Sequence, residues 1–392
     1  MQKKLMAIAV AGALGAPAVA LAQASTVQVY GQITYEYGVA RQGDAAPGVG
    51  RPSVDYADTP GGSAIGFRGE EKLGGGLSAW FQCESSADIR GMDQSGWCTR
   101  NSAVGFKGGF GNIHFGRWDT PMKRALNVGT VGAEETGLLG MSFLPFGGSG
   151  GADATASGDG PQRQRWKRRE AGLTYYESPR FGGFQVLGAF SPGNFAADSG
   201  AIDGTANDKP RVISLAGIYS AGPLGIGLAY EMHNEFGAHA PLSTTDADDR
   251  AWGGSISYKF GPVEVGATYL DAKYETLPGQ ELKKRTATVG VDWTIAGPHS
   301  VEAQYAWAGD SKGNSTVAIG GNGGSAASGS DTGGDALSIA YRYRFSKRTS
   351  IKLGYIVVDN DTATSSYRVG NTAGVTAGEK SSAVAFHIRH RF

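Results

Sequence analysis

From Val27 to Phe392 the chain alternates apolar and polar side chains with a period of two, in runs of about ten residues separated by breaks. Val263, Val265, Ala267 and Tyr269 share one face of a strand, and Glu264, Gly266 and Thr268 the other. Leu337, Ile339, Tyr341, Tyr343 and Phe345 oppose Ser338, Ala340, Arg342 and Arg344, and Val301, Ala303, Tyr305 and Trp307 oppose Ser300, Glu302 and Gln304. Side chains of a strand point alternately to its two faces, so each run has a greasy side and a wet side. Apolar toward lipid and polar toward water is the pattern of a transmembrane β-barrel.

Sixteen strands are predicted, at 26–40, 63–70, 76–85, 101–109, 111–117, 167–177, 183–191, 210–220, 223–233, 250–260, 262–274, 283–296, 298–309, 334–345, 348–359 and 380–392. Their connectors alternate without exception. Tight ones such as Ala221-Gly222, Gly261, Gly297 and Ser346-Lys347 are interleaved with long ones at 41–62, 86–100, 118–166, 192–209, 234–249, 275–282, 310–333 and 360–379. An up-and-down barrel with tight turns on one rim and long outward loops on the other requires that alternation. An even strand number lets the first and last strands pair and removes the open edges. The expected fold is all-β, a 16-stranded antiparallel transmembrane barrel. Folded into the lumen, the longest loop, 118–166, would narrow the pore.

The first residues read differently. Lys3 and Lys4 precede an apolar run from Leu5 to Leu21, and Ala22-Gln23-Ala24 is a small-x-small cleavage site. Residues 1–24 are therefore expected to be a secretory signal peptide, leaving 25–392 as the barrel domain. No later stretch approaches the ~20 apolar residues of a spanning helix. Without Lys3 and Lys4 the chain carries 34 basic and 36 acidic residues, which argues against a nucleic-acid partner. The two cysteines, Cys83 and Cys98, stand fifteen positions apart. In an oxidising compartment they are expected to close a loop between two strands, the alternative being two inert thiols.

Several stretches resemble the Gram-negative general porins, specifically the trimeric sixteen-stranded β-proteobacterial type that includes neisserial and comamonad porins. They are Ile65-Gly66-Phe67-Arg68-Gly69-Glu70-Glu71-Lys72-Leu73-Gly74-Gly75-Gly76-Leu77; Arg100-Asn101-Ser102-Ala103-Val104-Gly105-Phe106-Lys107, running on to Phe115-Gly116-Arg117; Tyr175-Tyr176-Glu177-Ser178-Pro179-Arg180-Phe181-Gly182; Phe345-Ser346-Lys347-Arg348-Thr349; and the closing His387-Ile388-Arg389-His390-Arg391-Phe392. The resemblance implies a homotrimer of water-filled barrels in the outer membrane, with the third outer loop folded inward as a constriction. It also implies that Phe392 ends the strand read by the barrel-assembly machinery. Arginines at the positions of Arg100 and Arg168 line the constriction of the anion-selective comamonad relative. The chain departs from that pattern at Ser63-Ala64, where an arginine is common.

Selectivity in such a pore needs only fixed charge at a narrow neck. The candidates are Arg68, Arg100, Lys107, Arg117 and Arg168 on the wall, and Asp119, Glu134 and Glu135 on the loop. Strict alternation puts Arg100 on the face of Val104 and Phe106, so it needs a bulge or a loop-end position to reach the lumen. Charges of the outer rim would instead meet lipid and lipopolysaccharide phosphate. No cofactor, metal or enzymatic chemistry is expected. Gly147-Gly148-Ser149-Gly150-Gly151 matches G-x-S-x-G but lies in a glycine-rich loop rather than between strand and helix. The six histidines lack metal-binding spacing, and the loop aspartates at 246, 248 and 249 form no calcium-loop pattern. The expected function is a passive diffusion channel for small hydrophilic solutes and ions, weakly anion-preferring. The alternatives are a barrel acting mainly as adhesin or receptor, or a substrate-specific channel.

Overall fold

The computed structural model describes residues 27–41, 43, 53–59, 62–91, 96–132, 137–141, 144, 166–192, 211–234, 238–239, 242–243, 248–316, 327–364, 367–369 and 377–392. The expected leader, Glu134 and Glu135 lie outside them. Sixteen wall strands form one antiparallel sheet: β1 Gln28–Arg41, β2 Ala64–Gly74, β3 Leu77–Ser86, β4 Ser102–Gly108, β5 Gly111–Asp119, β6 Arg169–Glu177, β7 Phe184–Ser191 and β8 Arg211–Ala221. They continue as β9 Leu224–Asn234, β10 Asp249–Phe260, β11 Val263–Glu275, β12 Glu281–Ala296, β13 His299–Ala308, β14 Gly334–Arg344, β15 Thr349–Asn360 and β16 Lys380–Arg391. Each pairs with its neighbours in sequence. β1 closes the ring, with Gln28–Gln32 against Arg68–Ala64 and Gln32–Arg41 against Arg391–Ser382. Phe392 completes the seam by exchanging backbone hydrogen bonds with Gly31, 3.0 and 3.3 Å long.

The tight turns have a shared chemistry. Gly222-Pro223, Gly261-Pro262 and Gly297-Pro298 each form a two-residue hairpin loop, with glycine φ of 56, 58 and 52°. A positive φ at the first turn position, followed by proline's fixed negative φ, suits the type II′ hairpin, whose twist matches that of the strands it joins. The proline carbonyls then accept from Lys259, Thr294 and Arg344 on the next strand, at 3.0, 2.9 and 3.0 Å.

Burial is inverted relative to a water-soluble sheet. Leu228, Ile256, Val289, Leu353 and Val384 are 48–61 % exposed, all on the outward parity. The buried apolar clusters lie on the inward parity, against a segment that leaves the wall after Asp119. That segment opens with a short helix, α1 Pro121–Asn127, which the periodicity does not predict. Its start is nonetheless encoded: Thr120 Oγ1 accepts from Lys123 N at 3.3 Å and Pro121 occupies the first turn. Met122, Leu126 and Trp166 pack on Ala251, Leu270, Ala272, Tyr274 and Leu282. Leu138, Leu139, Met141 and Leu144 pack on inward alanines of β13, β14 and β16 and on Ile356 and Val358 of β15. Each such side chain, fully buried, contributes about 1.5–3 kcal/mol. Small wall residues are what admit the segment: a Cβ on Gly290 would stand 1.8 Å from the Val131 carbonyl oxygen, and one on Gly227 2.3 Å from that of Ala125.

Candidate pore constriction

The segment after β5 is fastened to the inward wall at points spread over most of its circumference. Met122 N donates to Ser214 Oγ on β8 at 3.0 Å, and Ser255 Oγ on β10 donates to the Ala125 carbonyl at 2.6 Å. Further along, Ser338 Oγ on β14 donates to the Leu139 carbonyl at 3.4 Å. Leu138 N donates to Glu36 Oε1 on β1 at 2.7 Å, and the other oxygen of that fully buried carboxylate pairs with His387 of β16. These anchors lie on β8 through β1, and the inward face of β2 to β5 carries a layer of charge.

In that layer Arg100 Nε donates to Glu84 Oε1 at 2.7 Å, and Tyr30 Oη to Glu84 Oε2 at 3.1 Å. Asp119 is held by Lys123 Nζ at 3.0 Å, Arg169 Nη2 at 3.2 Å and Asn101 Nδ2 at 3.0 Å. Arg124 of α1 reaches Glu177 of β6. Burial works against the Arg124 charge, yet Tyr175 and Glu177 beside it carry its pKa above the ordinary guanidinium value. Nearer the tight-turn rim Lys107 Nζ pairs with Glu70 at 2.5 Å. Across the lumen Lys352 Nζ lies 2.6 Å from Glu302, and Arg342 bridges Glu302 and Asp292.

The closure seam adds hydrogen bonds between arginines and β1. β1 presents Gln28, Gln32 and Thr34 inward, and each orients an arginine of a flanking strand. Arg68 Nε donates to Gln28 Oε1 at 3.0 Å, Arg391 Nε to Gln32 Oε1 at 3.1 Å and Arg389 Nε to Thr34 Oγ1 at 3.0 Å. The bonds of Arg68 and Arg391 go to neutral oxygens and fix direction without neutralising charge. Arg68 also lies 4.9 Å from the centroid of the Tyr30 ring.

Of the residues singled out from sequence, Arg68, Arg100, Lys107 and Asp119 sit in this layer. Arg100 precedes the first residue of β4, and that loop-end position lets it meet Glu84 despite its strand parity. Arg117 stands opposite Ser102, on the parity of Phe115 rather than of His114. Arg168 is 4 % exposed and holds Glu170 at 2.5 Å, so its neighbour Arg169 is the one that meets Asp119. Arg169, Lys123, Arg124, Glu84, Arg342, Lys352, Arg389 and Arg391 were missed. For Arg342, Lys352, Arg389 and Arg391 the signal was present: each alternates with outward apolar residues, as Lys352 does with Leu353 and Arg391 with Phe392.

The disulfide Cys83–Cys98 is formed, with Cα atoms 4.7 Å apart. Cys83 shares the outward parity of Phe81, so the bond clips the loop after β3 to the outer wall. The same loop is tied by Arg90, which pairs with Asp88 at 2.7 Å and Asp58 at 2.8 Å. The hydrogen bonds from Arg90 hold the Asp88 carboxyl below its ordinary pKa.

Residues 7–363 match the Gram-negative porin family. The outer membrane porin protein 32 of Delftia acidovorans is 29 % identical over 402 residues, covering all of both chains. The major outer membrane protein P.IB of Neisseria lactamica is 26 % identical over 336 residues, covering 80 % of this chain and 95 % of its own. Among solved structures, the anion-selective porin from Comamonas acidovorans superposes with a TM-score of 0.70 at 23 % identity, over 94 % of this chain and 100 % of that one. The trimer form of OmpT from Vibrio cholerae gives 0.61 at 17 % identity, with the same two coverages.

Proposed function

The chain belongs to the Gram-negative porin family, an outer-membrane β-barrel protein, and we propose that it is a general diffusion channel with a weak preference for anions. In this reading residues 1–24 are removed on export, and small hydrophilic solutes and ions pass between the segment after β5 and the wall of β1 to β6. Three barrels assemble as a homotrimer among outer-membrane lipid and lipopolysaccharide, and Phe392 serves the assembly machinery. No bond is made or broken.

One observation carries the anion preference. Arg68 and Arg391 are aimed inward by neutral oxygens of β1, whereas Arg100, Lys107, Lys123, Arg124 and Arg169 are each matched to a carboxylate. Arginine held by neutral oxygens on the inward wall favours anions, and the many paired charges keep that preference small. Arg117, Arg168, Glu134 and Glu135 are retained as candidates that modulate the field. The test is the reversal potential of the reconstituted protein under a potassium chloride gradient. The expected sign is that of chloride permeation exceeding potassium by a few-fold; a cation-selective potential would refute the assignment.

A further inference from the structure

Trp80 of β3 lies across the barrel wall instead of standing off it. The residue opposite it on β4 is Gly105, and the one beyond on β5 is His114. With no side chain at Gly105, the indole spans β4, and its Nε1 donates to Asn112 Oδ1 on β5 at 2.8 Å. There it meets Trp118 edge to face, with ring centroids 5.8 Å apart and planes at 71°. Both indoles are half-buried and on the inward parity.

A rigid base holds the pair. The His114 ring lies 5.3 Å from Trp80 and 4.9 Å from Trp118, and it stacks on Tyr175 at 4.7 Å. His114 and Tyr175 have no exposed surface. Two steeply crossed indoles on such a base form a corner, where a flat ring can lie on one face and meet the edge of the other. With both indoles already held in place, little ordering remains to be done when a ring arrives.

Beside the corner, positive charge outnumbers negative. Lys72 and Lys107 both bond Glu70, which stands opposite Trp80 on β2. The lysine side chains are 61 and 43 % exposed, against 31 % for the carboxylate they share. Lys107 stands two residues, roughly 7 Å, along β4 from Gly105, on the flank of the Trp80 indole. A carboxylate carried by a ring in the corner is within its reach.

The other polar groups around the corner are already committed. Asn112 holds Trp80, Gln82 Nε2 donates to the Asn101 carbonyl at 2.8 Å, and Glu84, Glu177 and Asp119 are each bonded to a cation. Sugar hydroxyls, which need several convergent polar partners, would find few open ones there. A flat hydrocarbon ring needs none.

We propose that Trp80, Trp118 and Lys107 form a binding subsite for aromatic carboxylates, with the ring against the two indoles and the carboxylate on the lysine. The proposal names a solute class for the passage along the wall of β1 to β6, and it rests on that passage being open to solutes.

The full protein in lipid nanodiscs is titrated with para-fluorophenylacetate, read by its fluorine NMR line width. The bound probe is then displaced with phenylacetate, cyclohexylacetate, phenylacetamide or glucose. Phenylacetate is expected to displace it at concentrations about fivefold or more below each of the other three. Trp80→Leu with Trp118→Leu is expected to weaken probe binding about tenfold, and Lys107→Gln about threefold. Trp252→Leu, on the lipid face, is expected to leave it unchanged. Displacement by any of the other three at the phenylacetate concentration, or wild-type affinity in the double tryptophan variant, would overturn the proposal. The competitor series on the wild type decides the case even where a variant fails to fold. Probe binding as predicted beside a silent bilayer would count against conduction alone, whereas stepwise openings without probe binding would count against the subsite alone.

Discussion

Glu36 is the point at which the inward segment meets the barrel seam, and its removal has a calculable effect. Both carboxylate oxygens are committed, one to the Leu138 amide at 2.7 Å and the other to His387, in a side chain with no exposed surface. Glu36→Ala removes a hydrogen bond to a charged group, about 1.5–3 kcal/mol, and leaves a buried amide unsatisfied. The segment stays in place, because Leu138 and Leu139 remain 2 % and 1 % exposed against Gly38, Gly354 and the inward alanines. Its local opening becomes easier instead. A loss of about 2 kcal/mol raises the opening constant roughly thirtyfold, at about 1.4 kcal/mol per factor of ten. Amide exchange at Leu138 should accelerate by that factor, and single-channel records should show more frequent excursions between conductance levels. Glu36→Gln, which keeps an acceptor for Leu138, should show a smaller effect. Unchanged exchange and noise in Glu36→Ala would refute the claim that this contact restrains the segment.

Other consequences follow from named contacts. Arg68→Gln with Arg391→Gln should move the reversal potential toward cations at unchanged fold, read in the same salt gradient as the wild type. Gly290→Ala forces a Cβ into the Val131 carbonyl, 1.8 Å away, so the segment must shift; the expected readout is an altered single-channel conductance, and wild-type conductance would count against the packing. Replacing Cys83 and Cys98 together by serine should cost about 3 kcal/mol, the loop-entropy expectation for a fifteen-residue closure, read as a lower denaturant midpoint with conductance retained.

The wall was legible because one physical rule governs it. Alternation between lipid and water repeats in every strand, and β10, predicted at 250–260, runs Asp249–Phe260. The turns were legible too, since glycine followed by proline permits little else. The interior was not. Gly227, Gly266 and Gly290 read as ordinary strand glycines until the segment after β5 is laid against them, because their role depends on a partner far away in sequence. Arg168 and Arg169 show the same limit: adjacent arginines at a loop-to-strand junction cannot be told apart by parity, and the one that meets Asp119 is set by where β6 starts. α1 escaped because seven residues hold too little periodicity to betray a helix, although Thr120-Pro121 marked its start. Arg389 and Arg391 could have been found, since they alternate with the outward Ile388, His390 and Phe392.

The central claim, that the barrel is an open conduit, is tested most directly by single-channel recording of the refolded protein in a planar bilayer. Stepwise openings of uniform size that close in threes under high voltage are the predicted record. A bilayer that stays silent after verified insertion would contradict it, and would move attention from the lumen to the outer loops.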